Sequence, residues 1–404
     1  MQPSLTRIAI GLSSIVGLRM FGLFLVLPVL AIYGAELRGA TPALLGLALG
    51  AYGATQAIFQ IPLGWLSDRL GRKPVIVLGL LVFLAGSVLA ALADSIWGII
   101  LGRALQGGGA IAAAVLALAA DLTPADRRPR VLAVIGISIG LSFLLALVAG
   151  PALAGAFGLS GLFWITAGLA VAAIIGLLVL VPAPPARVRQ PPVPGAFRRV
   201  LLDQDLFRLN LGIATINFAL MALFLVVPLV IVEAFDLSVA RHWQVYLPVL
   251  LATVPVLALG IRHGERKGGS RGTAVLSGAA MTVALVLLAV GGELRLLLVL
   301  GLWLFFCGFN LLEACLPALT SRHAPERTRG SALGVYASYQ FAGAFFGGAL
   351  GGLVLEAGGF PAVLILAAVV MALAALALRG LSPDPPQTGA GEVAASGARP
   401  PQTG

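Results

Sequence analysis

Charge is what this sequence has least of. Asp, Glu, Lys and Arg make up 10% of its 404 residues, beside three His and two Cys, whereas 59% of the chain is hydrophobic and the mean hydropathy is +1.03. Soluble globular chains carry about 25% charged residues, so that class is excluded and an integral membrane protein is implied. Twelve spans of about 20 residues would use about 240 positions, leaving short loops and no room for a soluble catalytic domain. Cys307 and Cys315 lie in one apolar run without His or acid ligands at metal-binding spacing. They read as packing residues, neither a disulfide framework nor a metal site. Nowhere does a span pair His with acids or a nucleophile with a base, so the composition argues against an enzyme and no cofactor is expected.

Acids are scarcer than bases, 16 against 26, giving a net charge of +10. The bases fall as small clusters between apolar runs, the pattern of topology determinants rather than of a nucleic-acid surface. The runs predict spans near 8–33, 43–65, 74–93, 96–120, 131–157 and 161–181, then 209–232, 242–261, 272–290, 296–320, 331–355 and 360–378. The first run is too long for a signal-peptide core and carries Arg19 and Pro28, so it is expected to be retained. Of the 26 Lys and Arg, 21 fall on the side of both termini and three on the other, Arg38, Arg241 and Arg295, with Arg19 and Arg103 inside spans. That asymmetry predicts both termini in the cytoplasm.

The organisation expected is a six-helix bundle over 1–181, a cytoplasmic linker over 182–205, a second bundle over 206–380 and a disordered tail over 381–404. The linker is rich in Pro and then basic, with Phe197, Leu201, Leu202 and Leu206 at helical spacing, as for an interfacial segment. The tail repeats Pro-Pro-Gln-Thr-Gly. Leu23-Phe24-Leu25-Val26-Leu27-Pro28 returns 200 positions later as Leu223-Phe224-Leu225-Val226-Val227-Pro228, where a six-plus-six duplication requires it.

Gly64-Trp65-Leu66-Ser67-Asp68-Arg69-Leu70-Gly71-Arg72-Lys73 packs charge into the turn between spans 2 and 3. Gly64 would let two helices approach, Gly71 would permit a reversal with positive φ, and Arg69, Arg72 and Lys73 would hold the turn on one side. The pattern Gly-x-x-x-Asp-Arg-x-Gly-Arg-Lys resembles the loop signature of the major facilitator superfamily. Gly102-Arg103-Ala104-Leu105-Gln106-Gly107-Gly108-Gly109 in span 4 is similar to a signature of its proton-linked exporters. Gly150-Pro151-Ala152-Leu153-Ala154-Gly155 in span 5 is close to its antiporter signature, with Ala154 where that pattern has glycine. From Leu18-Arg19-Met20 to Asp121 the chain looks like the YajR-type branch, a group of bacterial proton-driven drug exporters. The named member carries a soluble domain after span 12, whose place is taken here by the Pro- and Gly-rich tail.

That resemblance implies an all-α polytopic membrane protein with 12 transmembrane helices in two pseudo-symmetric six-helix bundles, working by alternating access. It also implies that Asp68 caps the amino end of span 11 and that Arg72 pairs with Asp121 at the end of span 4, a conformational latch for the outward-open state. The alternative is that Asp68 and Asp121 cap local turns. Gly150, Pro151 and Gly155 would serve a moving helix seam.

Glu313 is the one acid well inside a span, and with Asn310 it would form a polar spot on one face of span 10. Desolvation favours the neutral form of such a group, which suits proton exchange, although its depth also suits a gate. Arg103 costs about 2.5–3.5 kcal/mol in hydrocarbon on the mildest scale, so it should face a cavity or a partner, or else snorkel outward. By resemblance spans 1, 4, 7 and 10 line the cavity. That adds Arg19, Gln106 and Asn217, with Arg19 and Arg103 as proton-coupling candidates beside Glu313 and with Phe21, Phe24, Phe218 and Phe306 as apolar wall or as packing. Gln56, Tyr336, Tyr339 and Gln340 are further candidates from spans 2 and 11. The function implied is proton-driven export of small lipophilic compounds across a bacterial inner membrane. Its partners would be a small-molecule substrate, protons and lipid, without nucleic acid, and the protein a monomer. Export of one polar metabolite, held by Arg19 and Arg103, is the alternative; a sensor would need a relay domain.

Overall fold

Inside hydrocarbon every backbone N–H and C=O must be satisfied within the chain, so each long apolar run folds as a helix. The computed structural model describes residues 5–124, 126–182, 195–264, 269–291, 294–325 and 328–383, and among these there are helices and no strands. Among the described residues ten helices are long and apolar enough to cross a membrane. Two of them, Arg128–Leu180 and Arg329–Leu378, have 53 and 50 residues. At 1.5 Å per residue each would be about 75–80 Å long, more than twice a hydrocarbon core of about 30 Å. Each breaks at a glycine of positive φ, Gly158 (φ 66°, ψ −176°) and Gly359 (φ 72°, ψ −172°), where a side chain would be strained. Ten helices are therefore twelve spans, and the two breaks lie 201 positions apart, in step with the repeated hexamer.

Span 1 is Leu5–Leu25 and, after a turn at 26–29, Leu30–Tyr33; span 2 is Pro42–Leu70 and span 3 Arg72–Ala91. Span 4 is Ile96–Gly108 plus Ala112–Leu122, and Arg128–Leu180 supplies spans 5 and 6. Spans 7 to 10 are Gln204–Phe235, Trp243–Gly264, Gly269–Gly291 and Arg295–His323, and Arg329–Leu378 supplies spans 11 and 12. Capping sets several starts: Thr41, Ser95 and Asp203 accept hydrogen bonds from the N–H of Leu44, Gly98 and Leu206. The Asp203 cap starts span 7 five residues before the expected 209. Of the linker, Ala196–Leu202 is a short helix with Phe197, Leu201 and Leu202 exposed and Val200 buried; 183–194 and the tail from 384 lie outside the described residues.

An even number of spans returns the chain to the face it started from, here called the terminal face; the opposite one is the far face. The two bundles meet tightly toward the far face. There a Cβ on Gly348 of span 11 would lie 2.5 Å from the Gly46 carbonyl of span 2, and one on Gly50 would lie 2.6 Å from the Phe345 carbonyl. Only glycine permits that approach. Toward the terminal face Ile58, Phe59, Ile61 and Trp65 of span 2 are exposed, and a Cβ on Gly330 or Gly334 of span 11, or on Gly136 or Gly140 of span 5, would have nothing within 4 Å. The protein is closed on the far face and open on the terminal face.

Candidate functional site

Two of the spans that carry candidate residues are broken, and the breaks set the chemistry. In span 4 the helix stops at Gly108 and resumes at Ala112. Arg19 of span 1 donates through Nη2 to the Gly109 carbonyl (3.1 Å) and to Gln56 Oε1 (3.0 Å), and Gln56 donates on to Gln60 Oε1 (3.2 Å). Its guanidinium sits 5.2 Å from the Phe83 ring centre and 5.8 Å from that of Tyr52. One turn before the break, Arg103 donates to Gln106 Oε1 (3.2 Å) and, over longer contacts of 3.4 Å, to the carbonyls of Ala48 and Leu49, while Gln106 donates to Ser87 Oγ (2.9 Å). Both arginines are 1% exposed. Tyr52 lies between them, its ring centre 5.3 Å from the Arg103 guanidinium.

Of the cavity candidates, Arg19, Gln56 and Gln106 do not line an open cavity, and Arg103, expected to face a cavity or a partner, has partners. In this conformation they are consumed inside the amino bundle. Arg103 does not snorkel; it finds partners within the bundle. The Gly109 carbonyl, freed by the break in span 4, and the Ala48 and Leu49 carbonyls of span 2 accept hydrogen bonds from the guanidiniums inside the bundle.

Glu313 sits differently. Oε1 accepts from Asn217 Nδ2 of span 7 (3.1 Å) and Gln340 Nε2 of span 11 (3.3 Å), so three helices converge on one half-buried carboxylate. The buried Tyr336 lies one turn before Gln340 on span 11. Asn310, however, does not join it. Its Nδ2 donates to Thr253 Oγ1 of span 8 (3.2 Å). Residues three apart point about 60° apart around a helix, and here each takes the neighbour on its own side, so the single polar spot expected on span 10 is two spots.

The expected aromatic wall is also redistributed. Phe24 and Phe306 are brought together by Phe143 of span 5, which the sequence reading missed: centroid distances from Phe143 are 5.2 Å to Phe24, 6.2 Å to Phe224 and Phe306, and 6.1 Å to Phe309. Phe143 thus ties spans 1 and 5 to spans 7 and 10. Phe218 is buried where its backbone meets Gly347. Phe21 is half-buried, and Tyr339 packs edge-on against Phe207 at 6.5 Å.

At the terminal face Gly71 closes span 2 with φ 99°. Arg72 ties the turn together: Nη2 lies 2.5 Å from Asp68, Nε lies 3.3 Å from Asp121, and Nη1 donates to Ser67 Oγ at 2.7 Å. Lys73 donates to the Val181 carbonyl, and Arg69 lies over the Trp65 ring at 3.5 Å. A Cβ on Gly64 would meet Ala113 of span 4 at 3.1 Å. All of this lies within the amino bundle. Asp68 does not cap span 11: its side chain is 58% exposed, and the Thr328 cap of span 11 carries no side-chain hydrogen bond. The bundles are parted on this face, which removes the partner.

Span 5 meets span 1 where span 1 is broken. A Cβ on Gly150 would lie 2.6 Å from the Leu25 carbonyl, just before the turn that carries Pro28. Gly155 packs equally close on Ala240, in the connection between spans 7 and 8. Pro151 is accommodated within the same helix.

Two six-helix halves, a seam that is shut on one face and parted on the other, and a carboxylate between spans 7, 10 and 11 define a membrane carrier rather than an enzyme. Comparison with known proteins agrees. A profile of the Major Facilitator Superfamily matches residues 12–348 and 249–402. The chain belongs to that superfamily and is a transporter. It is 46% identical to the inner membrane transport protein YajR of Escherichia coli K12 over 88% of this chain and 78% of that one. It is 27% identical to the multidrug resistance protein MdtH of Proteus mirabilis over 82% of each. Among solved structures, the inward-open conformation of the xylose transporter XylE from E. coli superposes with a TM-score of 0.74 at 15% identity, covering 95% of this chain and 98% of that one; at that identity the likeness speaks for the fold alone.

Proposed function

We propose that this protein is a proton-driven antiporter that exports small lipophilic compounds from a bacterial cell by alternating access. The observation that carries the reading is Glu313, a carboxylate deep in span 10 whose bonding partners Asn217 and Gln340 are amides from two other helices. Amide donors hold the group in place without supplying a charge, so proton binding and release remain available to it. Arg19 and Arg103, held by amides and backbone carbonyls of the amino bundle, position helices in this reading rather than carry the proton. Its placement in the inner membrane, with the terminal face toward the cytoplasm, is supported by the 21 Lys and Arg on that side and by the description of YajR. The choice of lipophilic cargo is supported by the phenylalanines around Phe143 and by the likeness to a multidrug resistance protein.

Asp68, with Arg72 and Asp121, acts as the latch of the opposite conformation, capping span 11 when the terminal face closes. The linker lies on the cytoplasmic surface between halves 1–181 and 206–380, and the protein works as a monomer. The test is accumulation of a fluorescent lipophilic cation in cells expressing the protein. Accumulation should fall below that of cells with an empty vector and recover when a protonophore collapses the gradient. Equal accumulation at matched membrane abundance, or export indifferent to the protonophore, would reject the reading.

A further inference from the structure

The far-face seam holds a contact that no signature of the sequence marks. Span 2 begins at Pro42, and its first turn leaves N–H groups without intrahelical partners. The Thr41 side chain takes the Leu44 N–H at 3.2 Å, a local cap. The next free donor, the N–H of Ala43, is taken by Glu356 Oε2 at 3.2 Å, from the far end of span 11. A residue of one bundle therefore completes the helix start of the other, with a carboxylate at the positive end of the helix. The bond lies beside an apolar crevice of about 410 Å3 lined by Thr41, Pro42, Leu45, Leu355 and Phe360, and Glu356 itself is open to the far face.

The pseudo-symmetry of the halves isolates this contact. The 201-residue step from Gly158 to Gly359 relates Glu356 to Gly155. In the other seam Gly155 packs on Ala240, a Cβ there standing 2.6 Å from that of Ala240. Equivalent positions thus close one seam by bare packing and the other by a charge-assisted hydrogen bond. Packing of small residues is lost gradually as surfaces slide. A carboxylate on a helix start is either made or broken.

We propose that Glu356 is the far-face latch of the transport cycle, holding the start of span 2 while the far face is closed and releasing it when that face opens. Asp68 on span 2 and Glu356 on span 11 are then reciprocal: each sits at the end of its own helix and caps the start of the other, on opposite faces, in opposite states. The inference rests on alternating access, but not on the cargo or on proton coupling, and its test uses neither.

Spin labels at Leu92→Cys and Leu294→Cys, exposed far-face positions in different bundles, report the opening in lipid nanodiscs once Cys307 and Cys315 are replaced by Ala. In Glu356→Gln the ratio of long to short distances should rise several-fold over the parent, with Glu356→Ala at least as large. Glu233→Gln, an exposed far-face acid of span 7, should leave the ratio unchanged. A parental ratio in both Glu356 variants, or an equal shift in Glu233→Gln, would overturn the proposal.

Discussion

The two bundles handle buried charge in opposite ways. The amino bundle encloses two guanidiniums, which donate hydrogen bonds to amides and backbone carbonyls: Gln56 and Gly109 for Arg19, and Gln106, Ala48 and Leu49 for Arg103. The carboxyl bundle places the carboxylate of Glu313 well inside span 10, and its partners are the amides of Asn217 and Gln340. Arginine keeps its charge at any physiological pH, so the first cluster is a permanent fixture of the helix packing. A carboxylate among amides has two accessible states. The comparison assigns architecture to one half and switching to the other.

The comparison breaks most visibly at Glu313. Glu313→Gln keeps size and hydrogen bonding to the neighbouring amides while removing the titration, so proton-driven transport is expected to fall at least about tenfold, a cost of about 1.4 kcal/mol or more in the driven step. Thermal stability in detergent should stay near that of the parent, and a variant transporting at the parental rate would sink the assignment. Next in size is Arg19→Ala, which strips the Gly109 carbonyl of its donor and leaves a cavity beside Phe83 and Tyr52. Unfolding should become easier by on the order of 3 kcal/mol, seen as a lowered Tm and poor recovery from the membrane. Retained stability would mean that the amino-bundle charge is not architectural.

Asp68→Asn should reduce transport several-fold without affecting insertion, because its pair with Arg72 lies on an exposed turn worth little to folding. Parental efflux at parental abundance would remove Asp68 from the cycle. The smallest effect belongs to Asn310→Ala. Losing the bond to Thr253 should cost about 1 kcal/mol of stability and leave proton coupling intact, whereas a coupling defect would return Asn310 to the Glu313 site.

Much of the fold is legible in the sequence because a bilayer imposes a length rule on apolar runs. Twelve spans follow from that rule, the six-plus-six arrangement follows from the repeated hexamer, and Gly71 announces its turn because the reversal demands positive φ. The site is less legible. The run Gly107-Gly108-Gly109 is a local signal that span 4 stops there, but nothing local directs Arg19, from another span, toward the Gly109 carbonyl that the break frees. Phe143 looked like one more apolar residue of span 5, since only the crossing of four helices gives it Phe24, Phe224, Phe306 and Phe309 as neighbours. Asn310 and Glu313 share a helix stripe in the sequence, but packing against spans 8 and 7 separates them. Glu356 reads as a loop acid until the seam brings it to Ala43. Helix location follows from one-dimensional chemistry, while side-chain partners follow from which helices cross.

The most direct measurement is substrate-dependent proton movement in reconstituted vesicles, followed by a pH-sensitive dye across a panel of lipophilic cations, with Glu313→Gln beside the parent. The account predicts proton release into the compartment the substrate leaves for the parent, and its loss in the variant while substrate binding remains. Proton movement of equal size in both proteins would contradict it and move the coupling group off span 10.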